Sequence, residues 1–263
     1  GLETALNNSP KMLSKPADLK ITEMKCGYIR NGHSLFVKIY TNQDIWGCGE
    51  GVDAVPGTYH LVKMFEQRIK GKSPLNVHRL FEDIRRSGFF EGAQSGMYVA
   101  VLTAVETALW DLAGKALNVP VYQLLGGKFR DKIRVYVDTA LYQQNLPTPE
   151  DFAKTALDAK KMGFTAVKFD LDQYNDPKKY DLYNWTASPG ELQRMEDQVA
   201  AAREAVGPEI DICCDMHGRY DLPTGKKVAQ LLDVRTCGMQ RGAFHCQRVM
   251  PAASIATESS PAS

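Results

Sequence analysis

Asp215 and His217, in the stretch ICCDMHGRYD, close a short apolar run. Side chains two apart on a strand share a face, so the carboxylate and the imidazole project together if the strand reaches that far. Such a carboxylate is a hard oxygen ligand for Mg2+, and such an imidazole is an acid, a base or a substrate ligand. The plainer alternative is two polar residues where a strand meets its loop. Upstream, AVKFDLD places Lys168 and Asp170 on one face in the same way. A lysine there orients a substrate carboxylate or, with a lowered pKa, takes a proton. A strand-end ion pair competes with both ideas. Residues 173–190 form a long loop carrying Tyr174, Tyr180, Tyr183 and Trp185 among charges. Loops of this kind are often lids, and aromatic faces suit stacking on a sugar, although packing over a rim is equally open.

These residues need elements to position them. From Leu19 the pattern is strand-like, with turns at RNGHS and TNQD, and predicts a three-stranded antiparallel meander. GCGEG resembles a phosphate loop only superficially, since no helix starts there, and reads as a β-turn. YHLVKMFEQRIKG and NVHRLFEDIRRSG are amphipathic and stop at glycine, while GMYVAVLTAVETALWDLAGKALN is apolar on most faces, as a helix buried on several sides would be. A meander followed by helices is an α+β domain.

After GGKFRDK the rhythm becomes βαβαβα. IRVYVDTA, TAVKFDLD and EIDICCDMH are the predicted strands, with a helix after each. That is the opening of a (β/α) barrel, whose active sites sit at strand C-terminal ends. The expected organisation is a leader over 1–17, an α+β capping domain over 18–130, three βα units over 131–232 and an aperiodic tail over 233–263. The tail, rich in Ala, Ser and Pro, reads as frameshifted or disordered. Its Cys237, His245 and Cys246 lack zinc-finger spacing. A closed barrel takes roughly 200 residues by itself, so a TIM-like barrel is expected to be incomplete in this chain.

The composition is that of a globular protein, 44% apolar and 24% charged, with a formal net charge of +1. This balance gives no reason to expect nucleic acid or an anionic membrane as partner, and no run reads as long and apolar enough to span a bilayer. Six cysteines without a C-x-x-C pair suggest reduced thiols in a cytoplasm-like compartment, with export after loss of a leader left open.

The helix AVETALWDLAGKALNVPVYQLLGG resembles the segment joining capping domain to barrel in the enolase superfamily, mandelate racemase/muconate-lactonising branch. GCGEG, AVKFDLD and CCDMHGRYD fall where that branch places its third cap strand and its second and third barrel strands. The Asp-x-His-Gly-Arg form is most similar to sugar-acid dehydratases of the galactonate type. The resemblance implies abstraction of the proton α to a carboxylate, an enediolate stabilised by Mg2+, and loss of water. By position, Asp215 is the first of three metal carboxylates and His217 the acid that protonates the departing 3-hydroxyl. Arg30 and His33, on the cap loop, would close over the substrate. Asp170, Tyr174 and Trp185 are further candidates for substrate contact, and Lys168 for catalysis.

Two departures matter. The racemases carry Lys-x-Lys where this chain has Lys168-Phe169-Asp170, which favours dehydration. The other two metal carboxylates and the His–Asp base of the family belong to later strands not found here, so the chain alone is expected to be inactive. A racemase, epimerase or cycloisomerase of the same superfamily is the second reading, and a non-catalytic binding or assembly module is the third. The implied partner is a small sugar acid, in a homo-oligomer of the intact family member.

Overall fold

The computed structural model describes residues 18–29, 34–52, 54 and 56–236. It divides into two compact units, Gly1–Asp131 and Lys132–Ser263.

In the first unit, strict alternation produces the sheet. Strands β1 (Ile21–Ile29), β2 (Ser34–Thr41) and β3 (Trp46–Val52) form an antiparallel meander. Leu35, Val37 and Ile39 line the buried face of β2. Helices α1 (Tyr59–Ile69), α2 (Val77–Ser87), α3 (Gly96–Leu117) and the short α4 (Val121–Leu124) follow. Asn118 ends α3 in the left-handed conformation, which asparagine tolerates better than most residues.

The GCGEG stretch is strand, as its likeness to the third cap strand implies, and not the β-turn read from its glycines. Gly47, Gly49 and Gly51 meet the α3 backbone at successive turns. A Cβ on Gly47 would stand 2.0 Å from the Ala108 carbonyl oxygen, and one on Gly49 2.1 Å from that of Ala104. One on Gly51 would stand 2.8 Å from that of Ala100. The period of two along the strand matches the period of four along the helix, and only glycine allows so close an approach. Contrary to the sequence reading, α3 is by length and composition apolar enough to cross a membrane, with 22 residues and an 18-residue stretch of mean hydropathy 1.2. Its apolar residues are those of the unit's core, among them Val101, Leu102, Val105, Leu109 and Leu112.

The second unit is a parallel sheet, β4 (Val137–Asp138), β5 (Ala166–Asp170) and β6 (Asp211–Asp215). It alternates with α5 (Pro149–Lys161), α6 (Pro189–Val206) and α7 (Leu222–Thr236). Thr148 and Ser188 start α5 and α6 with reciprocal capping boxes to Asp151 and Glu191, each with proline at the first turn. Phe152 of α5 stacks on Phe169 of β5 with centroids 4.5 Å apart, fixing helix to sheet.

Two expectations are adjusted. IRVYVDTA gives only two residues of strand, and Ile133, Val135 and Tyr136 are exposed. The Arg134 guanidinium donates to the Thr165 carbonyl at 2.7 Å and pairs with Asp211 at 2.7 Å. It joins the β6 amide of Asp211 on that carbonyl, which ties the segment before β4 to the start of β5 and β6. At the other end, α7 runs on to Thr236, four residues past the point where the sequence loses its period. Residues 1–17 and 237–263, including Cys237, His245 and Cys246, lie outside the described residues.

Candidate active site at the strand ends

Each strand of the second unit ends in aspartate, and the register aligns them. Asp138 sits opposite Lys168, and Asp170 opposite Asp215. Lys168, one residue pair before the end of β5, therefore points its ammonium into three carboxylates. Nζ lies 3.2 Å from Asp138 Oδ2, 3.2 Å from Asp170 Oδ1 and 3.4 Å from Asp215 Oδ2. Burial disfavours its charge, but the hydrogen bonds to Asp170 and Asp138 outweigh this and hold its pKa above the usual lysine value. Lys168 is thus ion-paired with all three strand-end carboxylates.

His217 reaches the cluster differently from the way the spacing suggests. The strand stops at Asp215, and His217 has φ 48°, in a left-handed turn with Gly218. Its backbone amide donates to Asp215 Oδ1 at 2.9 Å, an Asx-type turn that Asp215 itself creates. The ring then stands with Nε2 4.0 Å from Asp215 Oδ2 and Nδ1 3.0 Å from Asp172 Oδ1. The hydrogen bond to Asp172 raises the His217 pKa, with the charges of Asp172, Asp215 and Asp170 acting in the same direction. For Asp215, burial acts upward but is outweighed by the His217 amide and by the charges of His217 and Lys168, so its pKa is lowered.

Asp170, Asp215 and His217 each present one ligand atom, all within 4.8 Å of one another. The two carboxylates suit a hard divalent cation such as Mg2+; the imidazole does not, because Mg2+ takes oxygen donors. The carboxylates therefore fit a metal in part, in competition with the Lys168 ammonium.

Tyr174 and Trp185 line a neighbouring cavity of about 420 Å³, whose walls include Asp172, Tyr183, Asn184 and Arg219. The loop bearing them is tied down. Arg194 binds Asp176 at 2.5 Å, Ser188 Oγ donates to the Lys178 carbonyl at 2.6 Å, and the Asp221 amide donates to the Trp185 carbonyl at 2.8 Å. Yet Tyr183 is 89% and Trp185 63% exposed. Pinned backbone under exposed rings is the geometry of a platform more than of a swinging lid.

The structure thus brings Lys168, Asp170, Asp215 and His217 together and sets Tyr174 and Trp185 beside them. Arg30 and His33 lie outside the described residues. Sequence reasoning missed Asp138, Asp172 and Arg219. Asp138 was legible as the aspartate ending the preceding strand; Asp172 and Arg219 follow their strands and carry no periodic signal.

An α+β unit followed by parallel βα units with a carboxylate cluster at their C-terminal ends defines a class: the cap and opening barrel of an enolase-type fold. Comparison with known families names it. Residues 9–126 match the mandelate racemase/muconate lactonizing enzyme N-terminal domain, and residues 151–237 match the enolase C-terminal domain-like family. The chain belongs to the mandelate racemase/muconate lactonizing branch of the enolase superfamily. It is 31% identical over 218 residues to D-xylonate dehydratase of Haloferax volcanii, covering 82% of this chain and 52% of that protein. It is 30% identical over 200 residues to D-gluconate dehydratase of Thermoproteus tenax, covering 75% and 38% respectively. A mandelate racemase/muconate lactonizing enzyme-like protein from Rubrobacter xylanophilus superposes with a TM-score of 0.74 at 37% identity, over 82% of this chain and 58% of that one. The chain spans about half the length of the D-xylonate dehydratase it matches.

Proposed function

We propose that this chain carries the cap and first barrel strands of a Mg2+-dependent sugar-acid dehydratase acting on an aldonate. The observation that carries the reading is the Asp215–His217 pair, held by the aspartate's own turn at the end of a parallel strand, in a chain similar to sugar-acid dehydratases. Asp215 is the metal carboxylate, with Asp170 beside it. When bound, the cation neutralises charge that develops on the substrate carboxylate as its α-proton leaves. His217 delivers a proton to the departing 3-hydroxyl, so that hydroxide leaves as water and the remaining enol becomes a 2-keto-3-deoxy acid. The hydrogen bond to Asp172 raises its pKa, in the direction that role needs. Lys168 stabilises the ionised carboxylates and is not the base, and Asp170 in place of a second lysine removes the other base from this face. The proton acceptor belongs to residues other than those described. Trp185 and Tyr174 offer faces to the sugar's apolar side.

Two carboxylates that also face an ammonium hold Mg2+ weakly, since the ion keeps most of its waters unless several oxygens converge. The 263-residue chain alone is therefore expected to show no turnover. The test has two arms. The purified chain is assayed with Mg2+ and D-xylonate, D-gluconate and D-galactonate, with product followed by mass spectrometry. The nucleotide sequence is read from codon 225 onward, and any longer product is assayed in the same way. Dehydration by the longer product, slowed about 100-fold or more by His217→Gln, supports the reading. Epimerisation without loss of water, or dehydration by the 263-residue chain, overturns it.

A further inference from the structure

We propose that Asp172 is the positioning residue of His217: it fixes the ring's orientation and tautomer, with hydrogen on Nδ1 and Nε2 turned to Asp215. The catalytic consequence rests on the dehydratase reading, but the geometry does not.

Both partners come from pinned backbone. The Leu171 amide donates to the Asp215 carbonyl at 2.8 Å, carrying the β5–β6 pairing one residue past the strand. The Gln173 amide donates to Leu171 at 3.0 Å, and the Gln173 side chain returns to the Asp170 carbonyl at 3.2 Å. Asp172 is thus held from both sides, and its side chain is only 5% exposed. On the other side, the Arg219 amide donates to the Met216 carbonyl at 2.9 Å, closing the turn that carries His217.

The carboxylate has two oxygens with separate duties. Arg219 Nε donates to Oδ2 at 2.8 Å, which fixes the carboxylate's rotation. Oδ1 is then turned to His217 Nδ1 at 3.0 Å. An ionised carboxylate only accepts, so Nδ1 must be the donor and carry hydrogen in the neutral ring as in the cation. Nε2 is then the nitrogen facing Asp215, at 4.0 Å. A partner on one imidazole nitrogen sets what the other does. Asp172 also lines the aromatic cavity, so the group that orients the acid touches the space beside it.

The test needs no turnover, so a failure of the dehydratase reading leaves it intact. The 15N shifts of the His217 ring in the 263-residue chain report which nitrogen is protonated at a pH where the ring is neutral, with the signal assigned by its loss in His217→Gln. The Nδ1-H tautomer is expected to predominate. In Asp172→Asn the amide oxygen is still required by Arg219, so the NH2 faces Nδ1 and the tautomer inverts. The ratio should move by about tenfold or more, the equivalent of one charge-assisted hydrogen bond. Arg219→Met keeps the carboxylate and should keep Nδ1-H. A wild-type ring protonated on Nε2, an unchanged ratio in a well-dispersed Asp172→Asn spectrum, or inversion by Arg219→Met each overturns the proposal. The wild-type measurement decides even if Asp172→Asn does not fold.

Discussion

The two units solve opposite problems. Among the described residues, the buried polar side chains of the first unit are Thr41 and Thr58, and none is charged. The second unit buries Asp170, Asp176, Glu191 and Arg194, along with Gln173, Gln198 and several hydroxyls. The first is held by shape, helix backbone seated on strand glycines. The second is held around charges whose partners come from outside their own element: Arg194 of α6 contacts Asp176 and the Leu171 carbonyl. Buried charges are expensive to keep unless fully paired, so a fold that keeps them spends stability on arrangement. In this chain that arrangement surrounds the strand ends where the candidate chemistry sits.

Four perturbations would sharpen or break this contrast. The largest effect is expected from Gly49→Val, because the new side chain meets α3 backbone, which cannot swing away. Chemical denaturation should show a loss of about 3 kcal/mol or more, or no folded first unit. Arg194→Met should follow closely, at about 3–5 kcal/mol, because Asp176 is left buried and unpaired. A cost near zero for Arg194→Met would mean that the second unit is also held by shape, and the contrast would fail.

Third comes pH. Burial raises the Tyr220 pKa, and the neighbouring Glu191 carboxylate raises it further. The folded state therefore favours the protonated phenol. Its contribution is fully present below the unfolded value, about 10, and is lost as pH rises from there through the folded value. Tyr220→Phe should flatten the alkaline fall in stability, and an unchanged slope above pH 10 would remove Tyr220 from the account. The smallest effect is expected for Trp185→Ala, within about 0.5 kcal/mol, since the ring is largely exposed and the loop is tied through its backbone. A larger loss by thermal melting would make Trp185 a packing residue and not a platform.

Local pattern carried most of the architecture. Alternation wrote the meander, Thr-Pro-Glu at 148–150 wrote one helix start, and the βαβαβα rhythm wrote the parallel sheet, whereas the cap at Ser188-Pro189 fell inside the stretch 173–190 that read as loop. The failures share a cause. GCGEG looked like a turn because glycine's common use is conformational, whereas here it is absence of volume against a helix some sixty residues away in sequence. IRVYVDTA looked like a full strand because its residues favour one, but pairing is decided by what lies alongside, and Ile133, Val135 and Tyr136 are left exposed.

The sequence by itself determined which residues stand at the strand ends, because strand, loop and helix are written in nearest-neighbour pattern. It thereby nominated Lys168, Asp170, Asp215 and His217. Tertiary structure alone decided what each of them touches. Register brought Asp138, Asp170 and Asp215 onto the one Lys168 ammonium. A left-handed turn, not strand periodicity, swung His217 beside Asp215 and onto Asp172. Ionisation and tautomer depend on atoms a few ångströms away, and that distance is set by how separate elements pack, which no local pattern encodes.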